Sequence, residues 1–163
     1  MKKTFLVFML TMLSATGCIA QTNNTANAQV TSEVSTVSQT EEQEKNMINI
    51  NLKIGNKSFY ARLYDNEATG QLIKKFPVTY NMTELHGNEK YYYMSDPLPE
   101  NREKPDTINK GEIMLYGNDC LVLFYDTFSN SYSYTRLGYI EDTTGLEEAL
   151  GKGGVSIGFE VVK

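Results

Sequence analysis

The chain has 163 residues, with 15 Lys and Arg against 20 Asp and Glu, eleven tyrosines, no tryptophan, one histidine and two cysteines. A net charge of −5 argues against nucleic acid as a partner and against electrostatic adhesion to anionic lipid. With so few His and Cys side chains, a structural zinc site, which usually takes four such ligands, is not expected.

The chain opens on an address. Lys2 and Lys3 precede the apolar run Thr4–Leu13, the pattern of a secretory signal and too short to span a bilayer. Ala15-Thr16-Gly17-Cys18 resembles a lipobox, which makes residues 1–17 a lipoprotein-type signal peptide and Cys18 the lipidated residue. Ala26-Asn27-Ala28 is a rival cleavage site, and would release a secreted or periplasmic soluble protein. Removing residues 1–17 takes both lysines with it and moves the net charge from −5 to −7. Membrane attachment then depends on the lipid: one acyl chain binds marginally, whereas two or three hold firmly. The expected location is the cell envelope, outside the cytoplasm, with the membrane as a partner through the anchor.

Residues 18–45 contain no aromatic residue and are rich in Thr, Ser, Asn, Gln and Glu. That composition cannot bury enough apolar surface to offset chain entropy, so the segment reads as a disordered tether. From residue 46 the texture changes. Ile48, Ile50, Leu52 and Ile54 alternate with Asn49, Asn51 and Lys53, the period of a half-buried strand. Gly55-Asn56 marks a hairpin, and Phe59, Ala61 and Leu63 alternate along the return strand.

Ala68, Leu72, Ile73 and Phe76 then fall at helical spacing behind an Asn66 N-cap, and Pro77 closes the helix. "VTYNMTEL" and "EKYYYM" read as strands, with His86 in the turn between them. A long connection from Ser95 to Glu112 is ordered in part by packing of Leu98 and Ile108. Strands follow at 112–117, 120–126 and 132–140, with a turn at Asn118-Asp119 and another in "TFSNS". Asp142, Thr143 or Thr144 caps a short helix "GLEEALG" that ends at Gly151, and "GVSIGFEVV" is the last strand. Roughly eight strands and two short helices predict a mainly β domain over 46–163, closed as a small antiparallel barrel.

The stretches "ARLYDNEATGQLIKKFPVTYNMTELHGNEKYYYM", "LPENREKPDTINKGEIMLYGNDCLVLFYDTFSNSYSYTRLGYIED" and "GLEEALGKGGVSIGFEV" together resemble the bacterial cyclophilin-like fold family, over about residues 47–163. The resemblance implies an eight-stranded barrel closed by helices, and no particular reaction. Some members are joined to flavodoxin-type domains, but no such domain or nucleotide fingerprint occurs in this chain. Prolyl isomerisation needs an arginine placed on the prolyl amide and an apolar pocket for the ring. The phenylalanine-rich strand and "GFM.QGGD"-like segment that carry this in cyclophilins have no counterpart here.

Candidate chemistry is sparse. Tyr132, Tyr134 and Arg136 alternate along one predicted strand and would line its outer face as two phenols and a guanidinium, a combination favoured at binding sites. Ser133, Thr135 and Leu137 are small enough to face a barrel interior. Tyr92, within the Tyr91–Tyr93 run, and Tyr125 are further aromatic candidates for a ligand groove. Cys120 opens an apolar run and reads as a buried hydrophobe, leaving no intrachain disulfide in the mature form. Glu147 and Glu148, adjacent on a short helix, read as solvated surface, and "GKGGVS" reads as a turn lacking the phosphate-loop order. No metal or cofactor is implied. The sequence therefore favours an envelope-anchored binding module for a peptide, a glycan or a small molecule, with a prolyl-isomerase-like enzyme as the alternative.

Overall fold

A computed structural model describes residues 46–163. The signal segment, Cys18 and the tether fall outside the described residues. Strand β1 (Ile48–Ile54) turns at Gly55-Asn56 into β2 (Lys57–Leu63). Helix α1 (Glu67–Leu72), continued by a 3-10 turn (Ile73–Lys75), leads to β3 (Val78–Leu85) and β4 (Glu89–Tyr93). After the short β5 (Arg102–Glu103) and β6 (Thr107–Ile108) come β7 (Glu112–Tyr116), β8 (Cys120–Phe124) and β9 (Phe128–Ser129). Strand β10 (Tyr134–Ile140), helix α2 (Leu146–Leu150) and β11 (Val155–Val161) complete the chain.

Eight antiparallel strands follow one another in the order β2-β1-β11-β3-β4-β8-β7-β10, and β10 pairs back onto β2 to close the barrel. Closure leaves no sheet edge unpaired around the circumference. The period-two pattern explains the register: Ile50, Leu52 and Ile54 face Ala61, Phe59 and Lys57 on β2 and Val161, Phe159 and Ile157 on β11. Ile50, Leu52, Phe59, Ala61 and Phe159 thus enter one interior, where all are buried. The two helices stop the two ends of the barrel. Leu72 and Ala68 of α1 pack into the core from one end, and Leu146 and Leu150 of α2 from the other.

Strands β7 and β8 are buried on both faces. Ile113, Leu115, Leu121 and Leu123 point inward, while Met114, Cys120, Val122 and Phe124 form a second cluster outside the wall with Tyr134 and Ile108. The cover is the β6–β9 ribbon, in which Ile108 lies opposite Phe128. A continuous apolar run such as "CLVLF" is what two-sided burial demands. The connection expected to be ordered by Leu98 and Ile108 is so ordered, with both side chains buried. "TFSNS", expected as a turn, instead supplies β9, because it finds a partner strand inside that connection.

Three local expectations are corrected. Helix α1 keeps its Asn66 cap, with Thr69 N–H donating to Asn66 Oδ1 at 3.0 Å, but tightens into the 3-10 turn after Leu72. Helix α2 has no side-chain cap: Gly145, in the left-handed region at φ 74°, holds that position. Asp142 is spent on an Asx turn that accepts from Thr144 N–H at 2.9 Å. Strand β10 starts at Tyr134 and not at Tyr132, whose N–H donates to Asn130 Oδ1 at 2.9 Å in the preceding turn.

Candidate functional site

Alternation along β10 places Arg136 on the outer wall and Thr135 and Leu137 inside. Tyr134 also points outward, yet it is buried, because the β6–β9 ribbon covers it. It meets Phe124 edge-on at 5.6 Å, and burial pushes its phenol up to about 12. Arg136 is held by carboxylates on two sides, Nε by Glu103 at 2.7 Å and Nη1 by Glu112 at 2.6 Å. Its carbonyl accepts from Asn66 Nδ2 at 3.0 Å, so the arginine also ties β10 to the α1 cap. Tyr132 stands apart, 60% exposed, edge-on to Tyr116 at 6.1 Å.

The other two aromatic candidates lie within the barrel. On β4, Lys90 and Tyr92 oppose the inward Leu123 and Leu121, whereas Tyr91 and Tyr93 oppose outward residues of β8. Tyr92 stacks on Tyr80, with ring centroids 4.4 Å apart. Tyr125 is buried at the α2 end, where its hydroxyl donates to Glu84 Oε2 at 2.6 Å. Tyr132, Tyr134, Arg136, Tyr92 and Tyr125 are therefore not brought together: three belong to the wall and two to the interior.

Lys90 is a functional candidate that the sequence reading missed. It is fully buried and forms an ion pair with Glu84. Its Nζ also donates to the carbonyls of Gly151 at 2.8 Å and Gly153 at 2.7 Å, and lies 5.2 Å from the centre of the Tyr125 ring. All three ammonium donors are thus matched, as a buried charge requires. Parity along "EKYYY" was the available signal. Once Tyr92 faces inward, so must Lys90.

Above this network opens a cleft of about 800 Å³, lined by Glu84, Gly87, Lys110, Tyr125, Glu147 and Lys152 among others. Two further glycines, Gly145 and Gly151, expose bare backbone to it. A Cβ at Gly87 or Gly151 would meet nothing within 4 Å, although both have positive φ. Glu147 and Glu148 are solvated, as expected, yet both border the cleft, Glu147 3.6 Å from Lys110 and Glu148 2.7 Å from Lys57. The "GKGG" turn contributes its carbonyls, not its amides, to the charged network.

A family model described as cyclophilin-like matches residues 52–160. The chain belongs to the cyclophilin-like family. No curated protein matches it.

The cyclophilin-like barrel offers two places where polar chemistry could meet a ligand; charges are paired at both, and they differ in concavity and in the backbone they expose. On the wall, the Nε and Nη1 of Arg136 are both taken by carboxylates. At the α2 end, the cleft presents both signs of charge and open backbone. Among the described residues no group of three His, Cys, Asp or Glu is placed to hold a metal, and no helix is long and apolar enough to cross a membrane. Cys120 is buried in the outer cluster, and burial pushes its thiol up to about 11, which keeps it a poor nucleophile at neutral pH.

Glu84 couples the cleft to pH. Burial works against its charge, but hydrogen bonds from Lys90, Tyr125 and the Gly87 amide outweigh it and hold the carboxyl below its ordinary 4.5. A carboxylate depressed on folding stabilises the barrel fully above that ordinary value, and this contribution is lost as pH falls through the lower folded value. Acid unfolding followed by circular dichroism is expected to reflect this. Below pH 4.5 the stability of Glu84→Gln should fall less steeply than that of the parent protein, and equal slopes would refute the coupling.

Proposed function

We propose that the protein is an envelope-anchored binding module, lipidated at Cys18, whose cyclophilin-like barrel takes a small polar ligand in the cleft at its α2 end. One observation carries the reading: the open cleft combines a volume of about 800 Å³, both signs of charge and exposed glycine backbone around a pre-organised Glu84–Lys90–Tyr125 floor. Volumes of this size suit compact ligands. Lys110 and Lys152 on one hand, and Glu84, Glu147 and Glu148 on the other, match a ligand bearing both a carboxylate and an ammonium, such as a short peptide. The isomerase alternative draws less support, since an arginine pinned by Glu103 and Glu112 has little of its fork left for a prolyl amide.

A thermal-shift screen of amino acids, dipeptides and disaccharides tests the reading, because a ligand of the folded state raises the melting point. A zwitterionic dipeptide is expected to raise it in the parent protein and to lose that effect in Lys110→Ala and Lys152→Ala variants. Stabilisation that survives both substitutions but disappears in Arg136→Ala would move the site to the wall.

A further inference from the structure

The two ends of the barrel differ in what they expose. Seven large apolar or aromatic side chains among the described residues are exposed: Tyr60, Leu85, Tyr93, Tyr116, Tyr132, Val161 and Val162. Strand direction sorts them. β4 runs toward the α1 end and finishes at Tyr93, β7 finishes there at Tyr116, and β11 finishes there at Val161. Tyr132 lies in the turn from which β10 departs at that same end. Five of the seven therefore ring the α1 end, on three strands and one turn, and Tyr93 and Tyr132 are 61% and 60% exposed.

That is also the end at which the described chain begins, since β1 starts at Ile48 beside Leu63, the last residue of β2. We propose that this rim of tyrosines and valines seats the α1 end of the barrel on the bilayer that carries the anchor, leaving the cleft at the α2 end facing away from it. The inference rests on the anchored reading of Cys18. Tyrosine suits such a seat because its ring enters the apolar boundary while its hydroxyl stays among the headgroups. The mature net charge of −7 means that the attraction is apolar and not electrostatic. Only 28 residues, Cys18 to Lys45, lie between the anchor and the barrel, so even at full extension the barrel stays within about 100 Å of the bilayer. At that effective concentration a weak contact suffices.

The absence of tryptophan from the sequence makes the test clean. Tyr132→Trp and, at the opposite end, Leu85→Trp are each introduced into the full lipidated chain and bound to phosphatidylcholine vesicles with brominated acyl chains. The Tyr132→Trp emission is expected to shift to the blue and to fall about twofold, as for an interfacial indole. The Leu85→Trp emission should stay unchanged. The loss should persist at about 0.5 M salt, where surface electrostatics are screened. Vesicle-bound protein in which neither variant is quenched would overturn the seat while leaving the anchor intact. Protein that does not sediment with vesicles would overturn both, and membrane fractionation unchanged by Cys18→Ala would refute the anchor separately. A Tyr132→Trp signal that answers to soluble cell-wall glycan fragments but not to vesicles would assign the rim to a glycan and overturn the proposal.

Discussion

Truncating Lys90 to alanine is expected to cost about 3–5 kcal/mol, the range for breaking a buried ion pair by removing one partner. The side chain is fully buried, its ammonium holds Glu84 and two backbone carbonyls, and its methylene stem lies among the interior side chains of the barrel. The alanine leaves Glu84 without its cation, and it strands the Gly151 and Gly153 carbonyls that close the α2 end. Lys90→Met restores the volume but not the donors, so it should recover only part of the loss. Adding Glu84→Gln to Lys90→Met removes the unpaired charge and should recover more. Urea unfolding measures all four proteins. A Lys90→Ala variant within 1 kcal/mol of the parent, about the worth of an exposed ion pair, would mean that the network is not a structural floor for the cleft.

The second large effect lies at the seam that closes the barrel. Between Arg136 and Gly138 the β10–β7 register slips by one residue, a bulge that turns both Leu137 and Gly138 inward. Gly138 then lies opposite Leu63 on β2. A Cβ on Gly138 would run into the Arg62 carbonyl and come within 2.8 Å of Leu63 Cα. Both obstacles are backbone, so neither can swing aside. Gly138→Ala is expected to destabilise by about 3 kcal/mol or more, beyond ordinary overpacking. Gly158 on β11 is the control. Its Cβ would sit 3.5 Å from Lys53 Cβ, an ordinary contact, and alanine avoids the glycine entropy cost of about 0.5–1 kcal/mol. Gly158→Ala should be neutral or stabilising. Equal losses at the two sites would show that the close approach at Gly138 does not hold β10 to β2.

Most of the barrel was legible because its strands obey simple alternation. Ile48 to Leu63 reads as a hairpin since one face is buried and the other wet, and the structure pairs it residue for residue. The doubly buried β7 and β8 were legible too, as continuous apolar runs. What escaped depended on distant partners. β9 exists only because Thr107–Ile108 comes back to meet it, and no local pattern in "TFSNS" announces that. The α2 cap was misplaced since Asp142 had two uses, and the turn took it.

The site was less legible than the fold. Tyr134 and Arg136 do share the outer face, but the two carboxylates on Arg136 come from Glu112 and Glu103, 24 and 33 residues earlier in the chain, and the cover over Tyr134 comes from the β6–β9 ribbon, half of which lies before β7. The cleft draws on the β3–β4 turn, the loop before β7, the end of β8 and both flanks of α2. None of these has a motif. Lys90, hidden in a run of tyrosines, was the one element that parity alone could have revealed.

The proposed cleft site is tested most directly by a two-dimensional amide NMR titration of the protein with a zwitterionic dipeptide. The glycines of the cleft report well, because their backbone is the surface a ligand would touch. The account predicts shifts concentrated at Gly87, Gly145, Gly151 and Lys152, with the amides of Glu103, Tyr132 and Arg136 unmoved. Shifts confined to those three wall residues, with the cleft amides silent, would contradict it.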